Sequence, residues 1–385
     1  MLSEPTSSEL TEANRVAFAQ VAAHAERMRP QHMERIQRVL AGARIDVDAE
    51  ALLDTLGGAG TLTMNSHPDR VVADRRSVAQ TLDDEGVYRS QFENDISNGG
   101  LSAHPGGDRD TWERSLFAGA YQPPGVRACE RPKYGGLNLM RYLNGACPRF
   151  GSCHLRLRHA ATKRATLVFG DSNAKPTDIG LIDAFAPVLA PLLESITAGA
   201  GALGRRGVNV RSFVDGLLCG DHLHGRGVFA PAMTHTLNDY IEAQVHGEMR
   251  LAADVEAVVI DPAFRGTRAG ELLLRTARRH GLRAEWHAGL ALALSYVPKA
   301  APDAPEAELM RWQAFCANGR AFRLAQRVVG EQDSEARLDA ANIGQAAVSV
   351  VREPDRWRDW GEPHEVLVHL KDLWLLLVAH GQPLA

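Results

Sequence analysis

The stretch Tyr240–His246 reads Tyr-Ile-Glu-Ala-Gln-Val-His, with polar and apolar residues alternating one by one. A strand sends successive side chains to opposite faces. Tyr240, Glu242, Gln244 and His246 then share one face, and Ile241, Ala243 and Val245 the other. A carboxylate held at a cleft can stabilise an oxocarbenium-like sugar, as the carboxylates of glycosidases do. The same alternation also suits a surface strand with a solvated polar face. The two readings differ in whether the rest of the chain supplies a cleft.

Other constellations are weaker. His222 and His224 stand near Cys219 and Asp221, and with His246 they would be the ligands of a metal-dependent hydrolase. No His-x-x-x-His or Cys-x-x-Cys spacing accompanies them, so no metal site is expected. Gly151-Ser152-Cys153-His154 is not a nucleophile elbow, and the Gly-rich stretches match neither a dinucleotide fingerprint nor a P-loop. Residues 127–164 hold nine Lys and Arg residues against Glu130 alone. Arg forks match phosphate oxygens, so this segment, Arg149 included, suits a phosphate-bearing ligand. In a chain with only five lysines, arginine is also simply the common cation.

The elements that must position these groups follow from the pattern. With 385 residues, 45% apolar and 23% charged, the chain is long enough for two or three cores. A net charge of −4 implies no global attraction to nucleic acid or anionic membrane. Five cysteines without a paired spacing fit a reducing compartment. The N-terminal residues lack the pattern of a signal peptide, and Leu373–Ala379 is too short to span a bilayer. A cytoplasmic protein with no membrane partner is expected. Residues 1–58 read as helices, broken at Pro30. Residues 59–300 mix short strands with helices, and 301–385 are helical after a Pro/Ala-rich boundary. Strands are expected at Gly60–Met64, Val87–Glu93, Cys153–Arg158, Ala165–Phe169 and Val255–Ile260, with turns at 94–107. Trp112, Phe117 and Tyr121 either line a pocket or pack.

Five runs carry a resemblance: Tyr-Arg-Ser-Gln-Phe-Glu at 88–93, Ser-Asn-Gly-Gly-Leu at 97–101, Arg-Pro-Lys-Tyr-Gly-Gly-Leu-Asn-Leu at 131–139, Pro-Arg-Phe-Gly-Ser at 148–152, and Tyr-Ile-Glu-Ala-Gln-Val-His-Gly at 240–247. Over about residues 60–300 the chain resembles a bacterial family of unknown function associated with the ADP-ribosyltransferase-like superfamily. The resemblance implies an α+β fold, with a split, curved mixed sheet around an NAD cleft and helical segments at both ends. It implies a mono-ADP-ribosyltransferase, of toxin or effector type, that takes NAD and modifies a protein or nucleic-acid acceptor. Glu242 matches the late-strand carboxylate, within Glu-x-Gln rather than the commoner Glu-x-Glu or Gln-x-Glu, and Gln244 would position the acceptor. His67 and Arg89 are both candidates for the early NAD-orienting residue. Ser152, Tyr134, Asn138, Arg149 and His246 would line the ribose, nicotinamide and phosphates. The run Asn-Ser-His-Pro-Asp-Arg at 65–70 has one histidine fewer than the His-Phe-His-Pro-Asp-Arg of family members. A catalytically degenerate binding module on the same fold is the alternative.

Overall fold

The computed structural model describes residues 10–95, 103–199, 201–218, 229–297, 313–330 and 336–384. The fold is α+β around one mixed sheet of eight strands. In chain order these are β1 (Leu62–Ser66), β2 (Lys133–Leu137), β3 (Cys153–Leu157), β4 (Ala165–Phe169), β5 (Ile179–Leu181), β6 (Ile241–Val245), β7 (Val255–Ile260) and β8 (Arg283–Trp286). Their order across the sheet is β5-β4-β6-β2-β1-β3-β7-β8; every neighbouring pair is antiparallel except β7 with β8.

Where a split sheet is expected, the structure has a single sheet that parts in its middle. β1 and β2 share only the pairs Leu62↔Leu137 and Thr63↔Gly136, whereas β1 with β3 and β2 with β6 carry four pairs each. From there Met64–Ser66 continue along β3 alone, and Lys133–Gly135 along β6 alone. The strands come close just before they part. A Cβ on Gly135 would lie 2.3 Å from Met64 Sδ and 2.5 Å from the Thr63 carbonyl oxygen. Gly135→Ala is therefore expected to destabilise the fold by about 1–3 kcal/mol through overpacking, read as a lower midpoint in chemical denaturation.

Both faces of β6 are buried. Ile241, Ala243 and Val245 join the main core with the apolar helix Ala186–Thr197. The polar face meets a second, smaller cluster that includes Ala17, Val21, Phe117 and Tyr121. Ala17 and Val21 belong to the N-terminal helix Glu12–Gly42, which runs 31 residues with Pro30 inside it. The expected break at Pro30 does not occur. His32 and Arg35, one turn on, are tied to Asp178 just before β5, and Arg35 also holds Glu194 with two hydrogen bonds of 2.9 and 2.7 Å. Those tertiary bonds outweigh the local cost of one lost helical hydrogen bond. Packed on β5, the helix also covers a sheet edge that would otherwise be open.

Residues 87–93 are not a strand. Ser90 and Glu93 form a reciprocal capping box that starts the short helix Gln91–Asn94. After the sheet the chain adds a two-stranded ladder, β9 (Ala291–Ala293) with β10 (Arg337–Asp339), the second of them in a stretch where helix alone is expected. The closing helix Pro363–His380 buries Val366, Leu370, Leu373, Trp374 and Leu377. Trp374 Nε1 donates to the carbonyls of Pro148 and Arg149, and its ring meets His67 edge-on at 4.8 Å. Among the described residues no helix is long and apolar enough to cross a membrane.

Candidate functional site

A cavity of about 370 Å³ opens where β1 and β2 part, a volume suited to a small-molecule ligand. Asn65, Ser66 and His67 wall it from the end of β1, and Lys133, Tyr134 and Gly135 from the start of β2. Arg109 and Trp112 come from the helix Asp108–Leu116, Arg149 and Phe150 from the turn before β3, and Asp171 and Asn173 from the turn after β4. Glu242 reaches it from β6 and Lys371 from the closing helix.

Glu242 is the buried carboxylate of this cavity, 4% exposed. One oxygen accepts from the Ser172 backbone N–H at 3.2 Å and the other from Gln244 Nε2 at 2.8 Å. Burial and the nearby Asp171 raise its pKa to about 7, against the opposing pull of Arg109 and the two hydrogen bonds. At neutral pH it stands near its midpoint, ready to exist as carboxylate or acid.

Arg109 is the cation that faces it. The guanidinium is 6% exposed and lies over the rings of Tyr134 (4.5 Å) and Trp112 (4.9 Å). Its Nε has no hydrogen-bond partner, and its charge is balanced by Tyr134 and, without an ion pair among the described residues, by Glu242 and Glu113. A buried guanidinium with an unspent donor can take an anionic ligand group. The cavity as a whole is cationic, since Arg70, Arg89, Arg109, Lys133, Arg149 and Lys371 line it against Asp171 and Glu242. Several of these are already engaged. Arg89 bonds Glu85 at 2.8 Å and Asp74 at 2.9 Å. Lys133 donates to the carbonyls of Arg131 and Gly247, and Arg149 donates to the carbonyl of Leu237 and the side chain of Asn238.

The structure thus brings Glu242, His67, Arg89, Tyr134 and Arg149 to one cavity. Burial near Arg70 and Lys371 pushes the His67 imidazole down to about 3, so it is neutral there. Tyr134 donates to Glu113 at 2.9 Å and forms the floor under Arg109. Gln244 and His246 sit behind Glu242, fully buried and outside the lining. Two expected residues are elsewhere. Ser152 is buried away from the cavity, its carbonyl bonded to His287 Nε2 at 2.8 Å. Asn138 closes a turn beyond the far end of β2, bonding the backbone of Tyr142 through both ends of its amide. The basic segment is largely spent internally: Arg131 on Asp110 and Glu113, Arg156 on Glu285, Arg164 on Asp254. Trp112 lines the cavity, while Phe117 and Tyr121 pack behind it. His222, His224 and the run Asn98-Gly99-Gly100 lie outside the described residues. Among the described residues no group of three or more His, Cys, Asp and Glu is arranged to hold a metal ion.

Fold and cavity together define an α+β protein whose mixed sheet parts around a cationic pocket with one buried carboxylate. The chain belongs to the family described as "Protein of unknown function (DUF3626)", which it matches over residues 61–380. That description states no activity. No curated protein matches the chain.

Proposed function

We propose that the chain breaks the N-glycosidic bond of NAD and transfers ADP-ribose to a macromolecular acceptor. The observation that carries this reading is Glu242, a buried carboxylate at the wall of a cationic cavity. As nicotinamide leaves, positive charge develops on the ribose, and an ionised Glu242 stabilises it. Arg109 answers the negative charge of the pyrophosphate, and the Tyr134 and Trp112 rings offer flat surfaces to the bases. In this reading the parting of β1 from β2 stands for the split of the ADP-ribosyltransferase-like sheets.

The test is nicotinamide release from NAD by the full chain, with and without bacterial lysate as a source of acceptor. Only the ionised carboxylate stabilises the cation, so the rate is expected to climb as pH rises through about 7, the midpoint of Glu242. Absence of release at every pH from 5 to 9 overturns the reading. A second reading, a binding module without turnover, is favoured by one observation: the hydroxyl expected from Ser152 is absent from the cavity lining. NAD binding in a calorimetric titration without nicotinamide release selects it.

A further inference from the structure

Behind Glu242, five hydrogen bonds run in series to the N-terminal helix. Asn14 Nδ2 lies 3.0 Å from Tyr121 Oη, Tyr121 Oη 2.5 Å from His246 Nδ1, and His246 Nε2 3.1 Å from Thr166 Oγ1. Thr166 Oγ1 is 2.7 Å from Gln244 Oε1, and Gln244 Nε2 is 2.8 Å from Glu242. With Glu242 ionised and His246 neutral, donor counting fixes the direction of every link. A carboxylate can only accept, so the Gln244 amide turns its NH₂ to Glu242 and its oxygen to Thr166. Thr166 spends its one hydroxyl hydrogen on that oxygen and must accept from His246, which is therefore protonated at Nε2. Nδ1 then holds the lone pair and accepts from Tyr121, whose oxygen accepts from Asn14. Every donor points toward Glu242.

We propose that this buried, one-way chain makes Tyr121, Thr166, His246 and Asn14 positioning residues for Glu242, so that the N-terminal helix sets the carboxylate's orientation and favours its charge. Bonds aligned head to tail polarise one another, and their dipoles end with positive poles on the carboxylate. Asn14 is itself anchored: its side-chain oxygen accepts from the Thr11 N–H in the helix-capping box, and its Nδ2 also donates to the Glu130 carbonyl at 2.7 Å. The neutral imidazole that the direction requires agrees with its surroundings, since burial and the facing cations Lys133 and Arg164 disfavour imidazolium. The helix lies outside the residues matched by the family, 61–380, so this control belongs to a part of the chain the family match does not cover. The effect on turnover rests on the proposed reaction; the effect on Glu242 does not.

The experiment follows the Glu242 side-chain carboxyl by carbon-13 NMR across a pH titration of the full chain, its signal assigned by its loss in Glu242→Gln. The other groups that face Glu242 are constant in every variant: Asp171 and Ser172 after β4, Arg109 of the helix Asp108–Leu116, Tyr134 of β2, and Cys147 and Tyr240. Tyr121→Phe removes the donor to His246 and is expected to raise the midpoint by roughly half a unit. Thr166→Val is expected to raise it further, and Thr166→Ser to restore it. If nicotinamide release occurs, the same variants lower kcat with KM little changed. A midpoint unmoved in folded Tyr121→Phe, or in Thr166→Val should Tyr121→Phe not fold, overturns the proposal. An unmoved midpoint beside active NAD cleavage rejects the chain alone, and a moved midpoint without cleavage rejects the reaction alone.

Discussion

Glu242→Gln is expected to abolish nicotinamide release while leaving the fold intact. A neutral amide cannot stabilise an oxocarbenium ion, and losing one preorganised stabiliser costs roughly 3–4 kcal/mol of transition-state energy, about a hundredfold to a thousandfold in kcat. Stability supplies an independent readout. The folded carboxyl titrates near 7 and the unfolded one near the ordinary glutamate value of 4.5. A folded-state pKa raised above the unfolded value means that the folded chain binds the extra proton. Its contribution is present below about pH 4.5 and is lost as pH rises toward 7. Wild type should therefore lose stability across that window in denaturant titrations, and Glu242→Gln should lack that portion of the slope. Retained nicotinamide release by the variant rejects the assigned role, whatever its stability.

The second large effect concerns Arg109. Arg109→Met keeps an apolar stem between Tyr134 and Trp112 but removes the charge and its donors. Binding of NAD in calorimetry is expected to weaken by roughly tenfold to a hundredfold, the worth of a charge-assisted hydrogen bond of about 1.5–3 kcal/mol. Arg109→Lys should recover only part, because an ammonium lacks the flat fork that lies over both rings. The variant also removes the cation that holds Glu242 down, so the pH midpoint of release should move above that of wild type. Unchanged affinity in Arg109→Met places the anionic group of the ligand elsewhere.

How much of this was legible in the chain depends on where the partners of each residue lie. The alternation at 240–246 placed Glu242, Gln244 and His246 on one face, and the structure has them there; β4 and β7 also begin and end where their patterns do. The burial of that polar face was not legible, because it is covered by Tyr121 and by the N-terminal helix, more than a hundred residues away. Arg109 gave no signal: in an arginine-rich chain nothing local marks the one that ends buried over two rings beside Glu242. Conversely the basic run 127–164 overstated its case, since the acids that neutralise Arg131, Arg156 and Arg164 lie outside it. Ser152 and Ser172 show the same limit. Both precede or follow a strand end, and only the fold decides that the second one turns its N–H toward Glu242. The strand expected at 87–93 failed for a local reason, because the Ser90 and Glu93 capping box outcompetes extended pairing.

The cavity wall begins at Asn65 and includes Lys371, 306 residues further along the chain. During synthesis the pocket therefore stays incomplete until the helix that carries Lys371 has been made. A ligand that needs the complete pocket must wait for that helix, which seats Trp374 against His67.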